Sequence, residues 1–258
     1  MENLLYEKKN YIGLVTINRP EALNCFNYAT LKELGELVEQ IRVDKDVRIV
    51  IFTGAGDKAF SSGADLKERR TLTEAEVRRN VYKIRTVFQQ IADLPQPTIA
   101  AVNGYAFGGG FELMLACDFR IAVRHAKMGL TETSWAIIPG AGGTQRLPRL
   151  IGEAKAKELI LTAKKINATE AMNYGILTSV VESNQLMEAC HELANAILQN
   201  GPIAVQQAKF AINQGMNADL HTGLEIEAKA YEITIPTKDR IEALNAFAEK
   251  RSPQFKGE

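Results

Sequence analysis

Residues 98–118 read TIAAVNGYAFGGGFELMLACD, and the reading of this stretch decides the fold. Thr98 to Cys117 is nearly long enough and nearly apolar enough to span a bilayer. Asn103, Glu112 and four glycines interrupt it. The interruptions predict instead a buried strand over 98–102, a loop, and a buried helix that opens after Gly110 and runs toward Asp118. A carboxylate inside such a helix is expensive to bury. Its presence there asks for a reason.

Working outward, the same strand-then-helix unit recurs. Residues 11–17 predict a strand, and NRPEALN (18–24) a turn-rich loop. Leu31, Leu34, Val38 and Ile41 then share one helical face. Residues 48–53 predict a short buried strand, followed by the loop GAGDKAFSSGAD (54–65). Val77, Val81, Ile84, Phe88 and Ile91 mark a long amphipathic helix that ends before Pro95. A fourth strand is expected over 120–123 and a short one near 127–130. Beyond residue 150 helical patterns dominate, over 154–163, 185–198, 203–213, 220–233 and 238–250, and only 177–181 still reads as a strand. The expectation is an α/β core of stacked repeats, 1–195, carrying a helical appendage, 196–258.

Composition narrows the class of function. With 46% hydrophobic and 24% charged residues the chain has the balance of an ordinary globular protein. Its 31 basic residues match its 31 acidic ones, so no overall field recruits nucleic acid or an anionic membrane. Cys25, Cys117 and Cys190 are far apart with no CxxC, which fits a reduced, cytoplasmic protein. His125, His191 and His221 lack zinc-ligand spacing, and no metal is expected. The opening MENLLYEKKNYIGLVTI has neither a signal-peptide core nor an Arg-rich, acid-poor leader.

Three stretches carry polar groups suited to chemistry. Gly108-Gly109-Gly110 opens a helix, where N–H groups have no intrahelical partner and stabilise a negative oxygen. The spacing is neither GxGxxG nor a P-loop, and close helix–strand packing is the competing reading. In AFSSGADLKE (59–68), Gly63 precedes the Ala64 N–H, while Asp65 also reads as a plain helix cap. In GLTETSWAIIPGAGGTQRL (129–147), Glu132 stands beside Trp135 and ahead of another glycine-rich loop. Trp135, Ile137 and Ile138 read either as lining of a pocket or as core. Together, two carboxylates and two glycine-supported N–H donors suit acid–base chemistry beside a carbonyl whose oxygen becomes negative.

In order and spacing, NRPEALN, AFSSGADLKE, VNGYAFGGGFELMLACD and IPGAGGTQRLPR resemble the motifs of the crotonase superfamily of enoyl-CoA hydratases and isomerases, over essentially the whole chain. The ending IPTKDRIEALNAFAEKRSPQFKGE, with AKMGLTETSWAIIPGAGGTQRLPR, is similar to the methylglutaconyl-CoA hydratase branch. The resemblance implies a crotonase-like core of repeated ββα units and C-terminal helices that build a trimer, two trimers stacking as a hexamer. It implies an acyl-CoA thioester as substrate, with coenzyme A arriving as part of it and no other cofactor. By motif position Ala64 and Gly109 supply the oxyanion-hole N–H groups, and Glu112 and Glu132 are the catalytic pair. Ala22, Ser62, Ala64, Asp65, Leu66 and Lys67 match positions lining the CoA adenine, pantetheine and thioester, as do Phe247 and Lys250 near the C-terminus. Both glutamate positions are filled, which favours hydration over double-bond isomerisation. A relative in that branch also binds AU-rich RNA through lysines on its first helix. Here the matching face carries Tyr28, Lys32 and Glu36, which argues against RNA as a partner.

Overall fold

The computed structural model describes residues 1–258. The chain begins with an antiparallel hairpin, β1 (Leu4–Lys9) and β2 (Ile12–Ile17), in which Leu4 lies opposite Ile17. Helix α1 (Tyr28–Val43) follows, capped by the Asn27 side chain on the Thr30 N–H, and buries Leu31, Leu34, Val38 and Ile41 as the periodicity predicts. It returns the chain to β3 (Ile49–Gly54), whose six residues are all buried. Next come β4 (Ala59–Ser61), α2 (Leu66–Arg69) and α3 (Glu74–Ala92), the last closed at its start by a Thr73–Glu76 capping box. Then β5 (Thr98–Val102), β6 (Tyr105–Phe107) and α4 (Gly109–Ala116) complete the stretch that frames the fold. After β7 (Phe119–Val123) and β8 (Lys127–Gly129) the chain forms α5 (Gly143–Ile151), α6 (Glu153–Leu161), β9 (Ile166–Asn167), α7 (Ala168–Asn173) and β10 (Ser179–Val181). Four helices end it: α8 (Leu186–Leu198), α9 (Pro202–Gly215), α10 (Leu220–Thr234) and α11 (Lys238–Glu249).

The strands sort into two sheets. One runs β1-β2-β3-β5-β7-β10 and is parallel from β2 onward. The other runs β4-β6-β8-β9. Successive repeats therefore place their first strand in the large sheet and their second in the small one. The central strands IVIFTG and TIAAV are apolar throughout because a parallel sheet is covered on both faces.

This corrects the sequence reading in the small sheet, where β9 also forms although only 177–181 was expected to be a strand beyond residue 150. Residues 54–65 and 103–108 were expected to be loops, yet they contain β4 and β6, which pair with each other. A three-residue strand shows no alternation, and its existence depends on a partner distant in sequence. The apolar stretch 98–117 resolves into β5, β6 and α4, and no helix of the chain is long and apolar enough to cross a membrane.

By internal contacts the chain divides into two compact units. One comprises Met1–Leu94 and Thr98–His191, the other Pro95–Pro97 and Glu192–Glu258. In the second unit α9 and α10 approach closely at Gly215 and Gly223, where a Cβ on Gly215 would lie 3.6 Å from the Gly223 Cα. Buried Asp239 accepts from the Lys256 and Gly257 N–H groups at 2.8 Å each and pins the C-terminal tail.

Helix α4 sits so close to β4 that a Cβ at Gly110 would overlap the Ser61 carbonyl oxygen. Backbone cannot yield there as a flexible side chain would. Gly110→Ala is expected to lower stability by about 1–3 kcal/mol, read as a reduced urea midpoint at unchanged slope. A midpoint equal to wild type would contradict the close approach.

Candidate active site

The N-terminus of α4 is the centre of the site. Gly108 there takes φ +51°, a conformation open to glycine, and begins the helix without a capping side chain. The Gly109 N–H is the first of the helix and finds no acceptor in the chain. Gly63, at φ +93°, is pressed against it: a Cβ on Gly63 would lie 2.8 Å from the Phe107 carbonyl oxygen and 2.9 Å from the Gly109 nitrogen. The following N–H, that of Ala64, also has no acceptor in the chain. Two unengaged backbone donors thus stand together where β4 and β6 end.

The loop carrying Ala64 is held by the loop 18–26. Phe26 N–H donates to the Gly63 carbonyl at 2.7 Å, Asp65 N–H to the Phe26 carbonyl at 2.9 Å, and Ser62 N–H to the Leu23 carbonyl at 3.0 Å. Buried Asn24 donates to the carbonyls of Ala55 and Ala59 at 2.9 and 2.7 Å and accepts from the Arg19 N–H at 3.0 Å. Arg19 in turn pairs with Asp65 at 3.0 Å. Asp65 also caps α2 through the Lys67 and Glu68 N–H groups. Burial alone would raise the Asp65 carboxyl, but the Glu68 N–H and the Arg19 guanidinium outweigh it and hold it below the usual range. The NRPEALN and AFSSGAD motifs are two halves of one scaffold.

Both glutamates flank the start of α4. Glu112 is 3% exposed, and its Oε1 accepts from the Ala141 N–H at 2.7 Å and the Gly143 N–H at 2.9 Å. Glu132 opens a 3-10 turn, Glu132–Trp135, and lies against Gly108, where a Cβ would come within 3.3 Å of its Oε1. Its Oε2 is buried with no hydrogen-bond partner in the chain. Burial raises the Glu112 carboxyl above its ordinary value, and the Gly143 and Ala141 N–H groups and the charge of Arg146 counter only part of that rise. The Glu132 carboxyl is raised to about 7, first by burial and then by the charge of Glu112. Glu132 lacks the two backbone donors, so the environment favours ionised Glu112 beside protonated Glu132.

Of the other residues singled out from sequence, half-buried Ala22 ends the otherwise exposed 3-10 turn Pro20–Ala22. Ser62 and Ala64 are half-buried, and Leu66 and Lys67 are exposed on α2. Phe247 and Lys250 belong to the second unit. There Phe247 is 85% exposed, and Lys250 ends α11 in a left-handed conformation. Trp135, Ile137 and Ile138 are 63%, 43% and 70% exposed, so the core reading of these residues is overturned. The left-handed Ala136, at φ 57°, turns the loop outward.

In the sequence the GAGG loop stands out only as a glycine cluster; in the fold its N–H groups hold Glu112. Arg69 is likewise inconspicuous in the sequence. A pocket beside Ala64 is walled by Phe26, Leu31, Leu72 and Ile84, with Arg69, Glu68, Asp65 and Asn80 completing its lining. Both carboxylates there are engaged, Asp65 as described and Glu68 by the Tyr28 N–H at 3.1 Å and Asn80 Nδ2 at 3.3 Å. The Arg69 guanidinium makes no hydrogen bond or ion pair in the chain. Neither role had a sequence signal beyond a glycine cluster and a basic residue on a short helix.

Known proteins of this shape and sequence are numerous. The family model described as enoyl-CoA hydratase/isomerase matches residues 7–258. The mitochondrial methylglutaconyl-CoA hydratase of Homo sapiens is 50% identical over 258 residues, covering 98% of this chain and 76% of its own. The short-chain-enoyl-CoA hydratase of Clostridium acetobutylicum is 45% identical over 97% of this chain and 96% of its own. A crystal structure of enoyl-CoA hydratase from Bacillus anthracis superposes with a TM-score of 0.97 at 53% identity, covering 99% of this chain and 100% of that one. With the motifs, the two-sheet core and the whole-length match in agreement, this chain is an enzyme of the enoyl-CoA hydratase/isomerase family, within the crotonase superfamily.

Proposed function

We propose that the enzyme is an enoyl-CoA hydratase, a hydro-lyase that adds water reversibly and syn across the double bond of a trans-2-enoyl-CoA with a short or methylglutaconyl-like acyl group. The observation that carries this reading is the meeting of Glu112, Glu132 and the unengaged Ala64 and Gly109 N–H groups at the start of α4. The thioester oxygen accepts from the two N–H groups. Water held between the carboxyls loses a proton to Glu112 as its oxygen bonds to C3. The π electrons move toward the thioester oxygen, and Glu132 delivers its proton to C2. Each N–H is worth roughly 3 kcal/mol to the enolate-like transition state. No metal or redox cofactor enters this reading, and coenzyme A comes with the substrate. Ala22, Ser62, Asp65, Leu66 and Lys67 supply its binding groove, and Phe247 and Lys250 of a neighbouring subunit approach it. Double-bond isomerisation on the same site is the second reading within this family, but it needs only one of the two carboxyls. RNA is not a partner in this reading.

A specific observation narrows the acyl group. The pocket beside Ala64 has apolar walls and one unpaired cation, Arg69. A methylglutaconyl thioester ends in a carboxylate that Arg69 would receive, whereas a crotonyl thioester ends in a methyl. The name of the 50% identical human relative agrees with this choice.

We also propose a homohexamer, a dimer of trimers, working in the cytoplasm. The second unit leaves Met216, Leu220 and Phe247 at 81%, 80% and 85% exposed, and such apolar surface is characteristic of a face that associates. The free cysteines fit a reducing compartment.

With crotonyl-CoA, Glu112→Gln and Glu132→Gln are each expected to lower kcat by about 10²–10⁴-fold with little change in KM. Loss of the conjugated enoyl absorbance measures it, and a full rate in either variant ends the paired-carboxyl mechanism. Arg69→Met should cost about 10–100-fold in kcat/KM for a methylglutaconyl thioester, the worth of a charged hydrogen bond. Crotonyl hydration would be nearly unaffected; an equal loss on both substrates removes the carboxylate role. Sedimentation equilibrium should return six times the monomer mass of 28.5 kDa, and a monomer would refute the assembly.

A further inference from the structure

Arg146 is the group near the pair that the mechanism above leaves without a task. It lies on α5, half-buried, and its two terminal nitrogens have different partners. Nη1 donates to the Ala141 carbonyl at 2.9 Å, and Nη2 to Gln89 Oε1 at 2.8 Å. Gln89 Nε2 continues to Asp93 Oδ1 at 2.9 Å, near the end of α3. The Ala141 carbonyl stands between the two N–H groups, Ala141 and Gly143, that hold Glu112 Oε1. Residue 142 is glycine at φ +111°, and a Cβ there would overlap Arg146 Nη1. The loop is therefore shaped around the guanidinium.

We propose that Arg146, braced by Gln89, is the positioning residue for Glu112: its planar fork fixes the loop 139–143 so that both backbone donors converge on one carboxylate oxygen. The other oxygen is left to the water. A planar fork with two fixed directions does this better than an ammonium group. The charge of the guanidinium acts on the same carboxylate and favours its ionised form. This inference rests on the hydratase reading, in which Glu112 must be ionised to take the proton from water.

The charged and titratable groups around Glu112 are few. Glu132 faces it from the 3-10 turn and Arg146 from α5. Asp93 on the α3 side and the buried Cys117 thiol at the end of α4 act on Arg146. Strand β4 contributes no titratable side chain, and β6 contributes only the exposed Tyr105. Because the two carboxyls interact, the acid limb of the rate profile belongs to the pair, which must lose one proton to become active. Removing a nearby cation raises that value, so the limb moves to higher pH.

The test compares Arg146→Met, Arg146→Lys and Gln89→Leu with wild type on crotonyl-CoA, reading kcat, KM and the pH profile. Arg146→Met should lose about 100-fold in kcat, the order expected when a reacting group is misplaced, with KM nearly unchanged. Its acid limb should move to higher pH. Arg146→Lys keeps the charge and should leave the limb in place while kcat falls about tenfold, because the fork is gone. Gln89→Leu removes only the brace from an exposed side chain; kcat should fall several-fold with the limb unmoved. If Arg146→Met retains wild-type kcat, or loses activity with an unmoved limb, the proposal is overturned. Should that variant fail to fold, a wild-type kcat in Gln89→Leu overturns it alone. A full rate in Glu112→Gln would instead strike the hydratase reading, whatever Arg146 does.

Discussion

The structure depends on making a buried carboxylate tolerable. Glu112 is almost wholly removed from water inside an apolar helix, and a bare carboxylate there would cost several kcal/mol or simply take up a proton. Two backbone N–H groups on a single oxygen, with the Arg146 charge behind them, offset part of that cost. Much of the local design follows. The donors must come from a loop that passes close to α4, so residues 140, 142 and 143 are glycines. At Gly143 a Cβ would lie 2.8 Å from Leu130 Cδ1. The loop must then lead directly into α5, which begins at Gly143 and carries Arg146.

The small sheet explains why the reactive groups converge. Its strands β4, β6 and β8 run parallel, and each ends at the site: β4 before Gly63 and Ala64, β6 before Gly108, β8 before Glu132. Parallel strands necessarily bring their C-terminal ends to one edge, which is where α/β proteins place ligands. Three short strands, each too small to be stable alone, thereby set two N–H groups and a carboxyl within a few ångströms. The large sheet supplies rigidity beneath them, with β3 and β5 fully buried.

Two glutamates a short distance apart have been given unequal surroundings. Glu112 has hydrogen-bond donors on one oxygen; Glu132 has an oxygen with none. That asymmetry, more than the presence of two acids, lets one serve as base and the other as acid at neutral pH. It also makes the pair sensitive to residues that never touch substrate, since any change in the donors to Glu112 alters the division of one shared proton.

By itself the sequence determined the α/β class, the long helices α1 and α3 and the buried strands β3 and β5. Their apolar positions repeat often enough to declare a period, and a fully apolar strand between turn signals needs a covered parallel sheet. The four motifs also carried the family. Tertiary structure alone decided the rest. Strands β4 and β6 exist only as partners of each other across more than forty residues, so neither shows a local signal. Trp135, Ile137 and Ile138 read as core or pocket lining from their chemistry, and their exposure beside the left-handed Ala136 leaves only the second reading. Arg69 and Arg146 look alike in sequence, each a basic residue on a helix. Only the fold gives one a carbonyl and a glutamine and leaves the other unpaired in a pocket, because hydrogen-bond partners are a matter of distance in space.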